Sequence, residues 1–182
     1  MNSIEIIQKY YQPDSRTYKI LVEHSQAVTN KALSIAQRVS HLKPDLKFIE
    51  EAALLHDIGI FLTDAPALAC FGEKPYICHG YLGREILAHE GLPRHALVCE
   101  RHVGVGISLP DIKKQKLPLP KRDMKPISIE EQIICFADKF FSKTEKSLST
   151  EKSLSRIRTG LSKFGSDKVP IFDAWLKKFP YH

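Results

Sequence analysis

Glu51-Ala52-Ala53-Leu54-Leu55-His56-Asp57-Ile58-Gly59 joins a helical apolar pattern to two adjacent ionisable residues, and the rest of the 182-residue chain can be organised around it. Phe48, Ala52 and Leu55 recur on one helical face, so a helix buries that face and delivers His56 and Asp57 at its end, just before Gly59. A buried imidazole beside a buried carboxylate is costly unless the two are paired or share a metal ion. Taken alone, the pair reads as a helix-end cap with a mutual hydrogen bond. Ionisable residues elsewhere in the chain change that reading.

Upstream, Arg16 to Ser40 carries Leu21, Val28, Ala32, Ile35 and Val39 on one stripe, with His24 and Ser25 on the same face. An antiparallel neighbour joined by the turn His41 to Pro44, with Asp45 as helix cap, would place His24 near the doublet. A shorter helix precedes it, around Ile4 to Tyr11, closed by Gln12-Pro13-Asp14. Downstream of Gly59 the pattern is irregular through Pro75, with at most a short helix around Ala67 to Cys70. The helix over Ile77 to Leu87 contains Gly80 and Gly83, each costing about 1 kcal/mol against Ala, so close packing is expected there. His79 heads that helix, and Pro93 starts another that ends at Arg101-His102.

Leu109 to Pro126 reads as a long polar loop, a potential lid, too charged for core. Ser128-Ile129-Glu130-Glu131 reads as a capping box before a helix with Ile129, Ile133, Phe136, Ala137 and Phe140 inside and Asp138 beside them. The segment Thr144 to Ser149 is repeated at once as Thr150 to Ser155, a local duplication. Leu154, Ile157 and Leu161 mark a helix ending near Gly165, and Val169 to Phe179 a last one, with Phe172 and Trp175 over the core. No segment reads as a strand, so the fold class is all-α.

Hydrophobic content of 43% and charged content of 26% describe an ordinary globular chain. No apolar run approaches the roughly 20 residues of a membrane span, and the N-terminus lacks a basic flank before an apolar segment, so the cytoplasm is expected. Cys70, Cys78, Cys99 and Cys135 form no C-x-x-C pair and read as reduced thiols. The net charge of +6 lies mostly in Lys113 to Lys116, Lys121 to Lys125 and the C-terminal third. It is not interleaved with aromatics, which ranks direct nucleic-acid binding last.

His24, then His56-Asp57, then Asp138, in that order on separate helices, resembles the HD-domain metal-dependent phosphohydrolase superfamily. The match lies at His24, at Leu54-Leu55-His56-Asp57-Ile58-Gly59 and at Ala137-Asp138, and covers about residues 16 to 145 of a single domain spanning 1 to 182. A C-terminal helical extension, about 146 to 182, falls outside it. The resemblance implies an HD-type helical bundle in which His24, His56, Asp57 and Asp138 hold a metal ion. His79 and His102 occupy places where dinuclear members carry extra histidines, which implies a second ion with Asp57 shared. His41, His89, His95 and His182 match no motif position and read as surface or packing residues.

Four imidazoles and two carboxylates suit iron or manganese, with zinc, nickel, cobalt or magnesium also admissible. Two such ions about 3.5 to 4 Å apart hold a hydroxide nucleophile and clamp a phosphoryl group. The implied activity is hydrolysis of a phosphomonoester or phosphodiester, in a nucleotide or dinucleotide, with Asp57, Lys139 and Arg84 as catalytic candidates and Arg101 as a weaker phosphate partner. Many dinuclear relatives continue the doublet as His-Asp-Ile-Gly-Lys, whereas this chain has Ile60 there, so substrate must be gripped otherwise. The alternative is a metal-binding regulatory module that acts through a macromolecular partner.

Overall fold

The computed structural model describes residues 2–144 and 148–181. Among them lie nine helices: α1 (Ser3–Tyr10), α2 (Arg16–Arg38), α3 (Leu46–Leu55), α4 (His79–His89), α5 (Pro93–Arg101), α6 (Leu109–Gln115), α7 (Ile129–Asp138), α8 (Leu154–Ser162) and α9 (Lys168–Lys178). The chain is thus all-α apart from one very small sheet. Side-chain caps begin six of the helices, with Asn2, Ser15, Asp45, Ser108, Ser128 and Ser153 each accepting from a first-turn backbone N–H. Residues 145–147, within the first copy of the six-residue repeat and at the expected start of the extension, lie outside the described residues, as does His182.

Two apolar clusters carry the bundle. One joins α2, α3 and α7 to the C-terminal helices through Val28, Ile35, Phe48, Phe136, Phe172 and Trp175. The other joins α1, the start of α2 and the turn after α3 to α4 and α5 through Ile7, Leu21, Leu55, Ile58, Leu87 and Cys99. His24 lies between Leu21 of the second and Val28 of the first, and the doublet follows Ala53 of the first and Leu55 of the second. The polar residues therefore collect at the seam of the two clusters.

Two segments depart from the sequence reading. After Gly59, three strands form a sheet in the order β2-β1-β3: β1 (Thr63–Ala65), β2 (Cys70–Phe71, antiparallel) and β3 (Lys74–Pro75, parallel). Strands of two or three residues are too short to show an alternating pattern. Thr17 of α2 fastens this segment, donating from its hydroxyl to the carbonyls of Leu68 and Ala69. The Leu109 to Pro126 stretch, expected as an open loop, begins with α6, behind a capping box of Ser108 and Asp111. Its Ile112, Leu119 and Met124 are buried against Cys78 and Leu82 in a third apolar cluster. The sparse apolar residues were enough for a local core. At α7 only Ser128 caps the helix; the Glu131 carboxylate turns instead to Arg101 and to the Ile127 N–H.

The expected close packing at α4 is present. A Cβ on Gly59 would lie 2.3 Å from the His79 carbonyl and 2.5 Å from the Gly83 nitrogen, both backbone atoms that cannot swing aside. This contact sets α4 against the turn that carries the doublet. Gly59→Ala should therefore cost about 2–3 kcal/mol in chemical denaturation. Gly160→Ala, where an added Cβ meets nothing within 4 Å, should be neutral or stabilising. Equal midpoints for the two variants would refute the close-approach argument.

Candidate metal centre

Asp57 is fully buried and lies where the two groups of donors meet. Its Oδ2 is 3.3 Å from His24 Nε2 and 3.1 Å from His56 Nε2. Its Oδ1 is 3.3 Å from the Nε2 atoms of both His79 and His102. Asp138 Oδ1, delivered by the end of α7, lies 3.1 Å from His24 Nε2 and 3.6 Å from His56 Nε2. In each group, His24-His56-Asp57-Asp138 and Asp57-His79-His102, the donor atoms lie within 4.8 Å of one another. All six sequence-selected residues are thus brought together.

Local structure aims these rings. The Nδ1–H of His56 donates to the Ala53 carbonyl at 2.6 Å, that of His79 to Tyr76 at 2.6 Å and that of His102 to Cys99 at 2.7 Å. With Nδ1 carrying the proton, Nε2 of His79 and of His102 presents a lone pair to the centre, as metal-ligating histidines do, and Nε2 of His56 does so once it gives up its own proton. The Tyr76 ring stacks on His79 with centroids 4.6 Å apart. Tyr11 holds the turn beyond the doublet, donating to the Ile58 carbonyl at 2.7 Å and accepting from the Phe61 N–H.

The donor set fits divalent metal ions. His56 Nε2 and Asp57 Oδ1 are buried without a hydrogen bond, and Asp57 Oδ2 has the Lys143 ammonium against it; buried polar atoms are seldom left unsatisfied. The Nε2 atoms of His79 and His102 face each other at 3.1 Å, two lone pairs that a shared cation would reconcile. Nitrogen and carboxylate donors in this proportion suit a borderline divalent metal rather than calcium.

Protonation follows position. Burial pushes His79 down to about 3 and lowers His102, so both stay neutral. Burial also opposes charge on His56, but Asp57 and Asp138 overcome it and raise its pKa to about 9. Above pH 6.5 the neutral state of His79 and His102 costs nothing relative to the unfolded chain, and stability falls as pH drops from there toward 3. The His56 contribution has the opposite sign: it is full below 6.5 and is lost as pH rises through about 9. Chelator-treated protein should therefore show its highest denaturation midpoint near pH 6.5, falling on both sides. Metal loading, which requires neutral His56, should remove the alkaline limb. A midpoint independent of pH in the chelated protein would contradict this placement of charges.

The cations are placed less as expected. Lys139 lies at the centre, with Nζ 2.8 Å from Asp138 Oδ2 and 3.1 Å from the His102 carbonyl. Arg84 does not join it: its Nε is 3.5 Å from Glu100 Oε2, a carboxylate it shares with Arg122. It sits five residues beyond His79, which turns it to another side of α4. Arg101 is held by Glu131 at 2.9 Å. Lys143, which the sequence reading missed, places Nζ 2.6 Å from Asp57 Oδ2. It lies beyond the end of α7, where no helical period marks its direction. Ile60, the residue in place of the relatives' Lys, is fully buried in the second apolar cluster. His95 packs against Phe48 and lies 3.4 Å from Glu51, apart from the site.

A helical domain with a buried, mixed histidine-carboxylate cluster at its centre is the class that fold and site define. The profile of the HD domain matches residues 21–142, and the chain belongs to that family. The chain is 33% identical over 129 residues to an uncharacterized protein of Methanocaldococcus jannaschii, covering 69% of each. It is also 30% identical to a tRNA (cytidine(56)-2'-O)-methyltransferase of Thermoplasma volcanium, over 76% of this chain and 35% of that protein. A methyltransferase of the same name from Picrophilus torridus is 32% identical, over 68% of this chain and 32% of that protein. The chain thus matches about a third of the length of the two methyltransferases. No solved structure matches. Membership of the HD family points to metal-dependent phosphohydrolase chemistry. Among the described residues, no helix is long and apolar enough to cross a membrane.

Proposed function

We propose that this chain, residues 1 to 182 as one domain, is a cytoplasmic phosphohydrolase. It cleaves a phosphomonoester or phosphodiester bond in a nucleotide or dinucleotide with the help of two divalent ions, iron or manganese by preference. The observation that carries the reading is Asp57, with one oxygen toward each of two histidine groups. When bound, two such ions supply Lewis-acid charge at the phosphoryl oxygens and lower the pKa of coordinated water. His56, His79 and His102 are already oriented by their backbone acceptors, so little reorganisation is needed to hold the ions. Lys139 and Lys143 bring positive charge to the carboxylates at the centre and are the groups available to meet phosphoryl oxygens.

A cysteine nucleophile is disfavoured. All four thiols are buried, and burial pushes Cys70 up to about 11, Cys135 up to about 12 and Cys99 well above its usual range. The test is phosphate release from nucleoside mono- and polyphosphates and cyclic dinucleotides by metal-loaded protein, together with metal content per chain. Two equivalents of metal and saturable release are expected, with His79→Ala or His102→Ala retaining about half the metal. A metal ratio unchanged by those substitutions would mean a mononuclear site.

One observation favours a second reading, in which the domain is a metal-binding module serving a macromolecular partner. Two relatives are tRNA methyltransferases of which this chain matches only a third, so the partner would be tRNA or a protein that modifies it. Metal-loaded protein that releases no phosphate but binds tRNA, with affinity falling steeply as salt rises, would select it.

A further inference from the structure

The segment leading into α8 returns to the end of α7, beside the metal cluster. The Lys152 N–H donates to the Phe140 carbonyl at 2.7 Å, just past the end of α7, and so fixes the start of α8 beside Asp138 and Lys139. Between them lies a cleft of about 640 Å³ whose lining includes Gly104, Lys139, Lys152, Arg156 and Lys163. Four of its lining residues are cations, and none is acidic. Among the described residues, no carboxylate forms an ion pair with Lys152, Arg156 or Lys163, although most cations near the site are paired.

Basic residues on a surface helix are most often a solvated face. Here Lys152 is half-buried in a concavity instead. Burial, with Lys139, Lys143 and Arg156 nearby and Asp138 opposing, lowers its pKa to about 8. An ammonium strained in that way is relieved by an anion. A second cavity of about 250 Å³ shares Gly104, Leu161 and Phe164 with the cleft; its other walls are mostly apolar, Ile77, Val103 and Leu117 among them, together with the Asp111–Lys168 ion pair.

We infer that this cleft is an anion subsite, built by Lys152 and Arg156 with Lys163, which holds a phosphate group other than the one at the metal cluster; Lys139 lies between the two and belongs to the centre. The ligand class is an organic di- or polyphosphate, whose uncharged part enters the apolar cavity. Calling that ligand the substrate rests on the phosphohydrolase reading; the binding itself does not. Small concave volume favours such a ligand over a polynucleotide, whose backbone tracks along extended grooves.

The experiment is calorimetric titration of the full, chelator-treated chain with inorganic pyrophosphate, followed by tRNA binding at several salt concentrations. Wild type should bind pyrophosphate. Lys152→Ala and Arg156→Ala should each weaken it about tenfold, the double variant should bind too weakly to measure, and Lys152→Arg should restore most of the loss. Lys113→Ala, on α6, serves as a charge-matched control. The inference is overturned if pyrophosphate does not bind, or if the Lys152 and Arg156 variants bind as tightly as wild type. It is also overturned if those variants lose tRNA binding that pyrophosphate does not compete. Because no metal is present, a hydrolytically active protein without pyrophosphate binding would sink only the subsite. Pyrophosphate binding by an inert protein would sink only the hydrolase reading.

Discussion

Asp57→Ala should strip the protein of both metal ions and reduce phosphate release by at least about 10³-fold. Asp57 is the residue common to both donor groups, with Oδ2 toward His24 and His56 and Oδ1 toward His79 and His102. Losing one histidine leaves the other group intact. Losing Asp57 removes a donor, and the negative charge that offsets two cations, from both at once. His56→Ala should also abolish activity, because its Nε2 lies 3.1 Å from Asp57 Oδ2 and 3.6 Å from Asp138 Oδ1. Elemental analysis of tag-free protein reads the metal, and a phosphate assay reads the rate. Full activity in the Asp57 variant ends the metal-site reading.

The second large effect is expected at Lys143. Burial works against its charge, but Asp57, Tyr76 and Asp138 hold its pKa well above the ordinary lysine value, so it remains cationic throughout the working range. A charge-assisted hydrogen bond to a phosphoryl oxygen is worth about 1.5–3 kcal/mol, or about 10- to 100-fold in rate. Lys143→Ala should lower kcat/KM by that factor while leaving metal content unchanged or raised, since it removes a cation that competes for Asp57 Oδ2. Lys143→Arg should recover part of the rate. A Lys143→Ala enzyme as fast as wild type would remove this residue from the reaction and leave Lys139 as the cation at the centre.

Asp57 and Lys143 differ in how visible they are in the sequence. His56 and Asp57 stand out because two ionisable residues at the end of a buried helical face are anomalous against a local pattern of period 3.6. His24 and Asp138 stand out for the same reason on α2 and α7, and His79 and His102 through the family resemblance. Lys143 has no such background. It follows a helix end, so its direction depends on what packs around it, and its partner Asp57 lies far away in the chain. Arg84 shows the converse: proximity to His79 in sequence was a poor guide, since Glu100 of α5 supplies the nearer charge.

The all-α class, most helix positions and the polar residues His24, His56, Asp57 and Asp138 on buried helical faces were determined by the sequence alone, because periodicity, caps and the burial of polar groups are local properties; His79 and His102 were marked only by the family resemblance. The three-stranded sheet, α6 and its small core, the cation against Asp57 and the return of α8 to the end of α7 were decided by the tertiary structure. Each depends on contacts between segments distant in the chain, formed when apolar surfaces with no regular spacing find one another. Such contacts leave no period in the sequence.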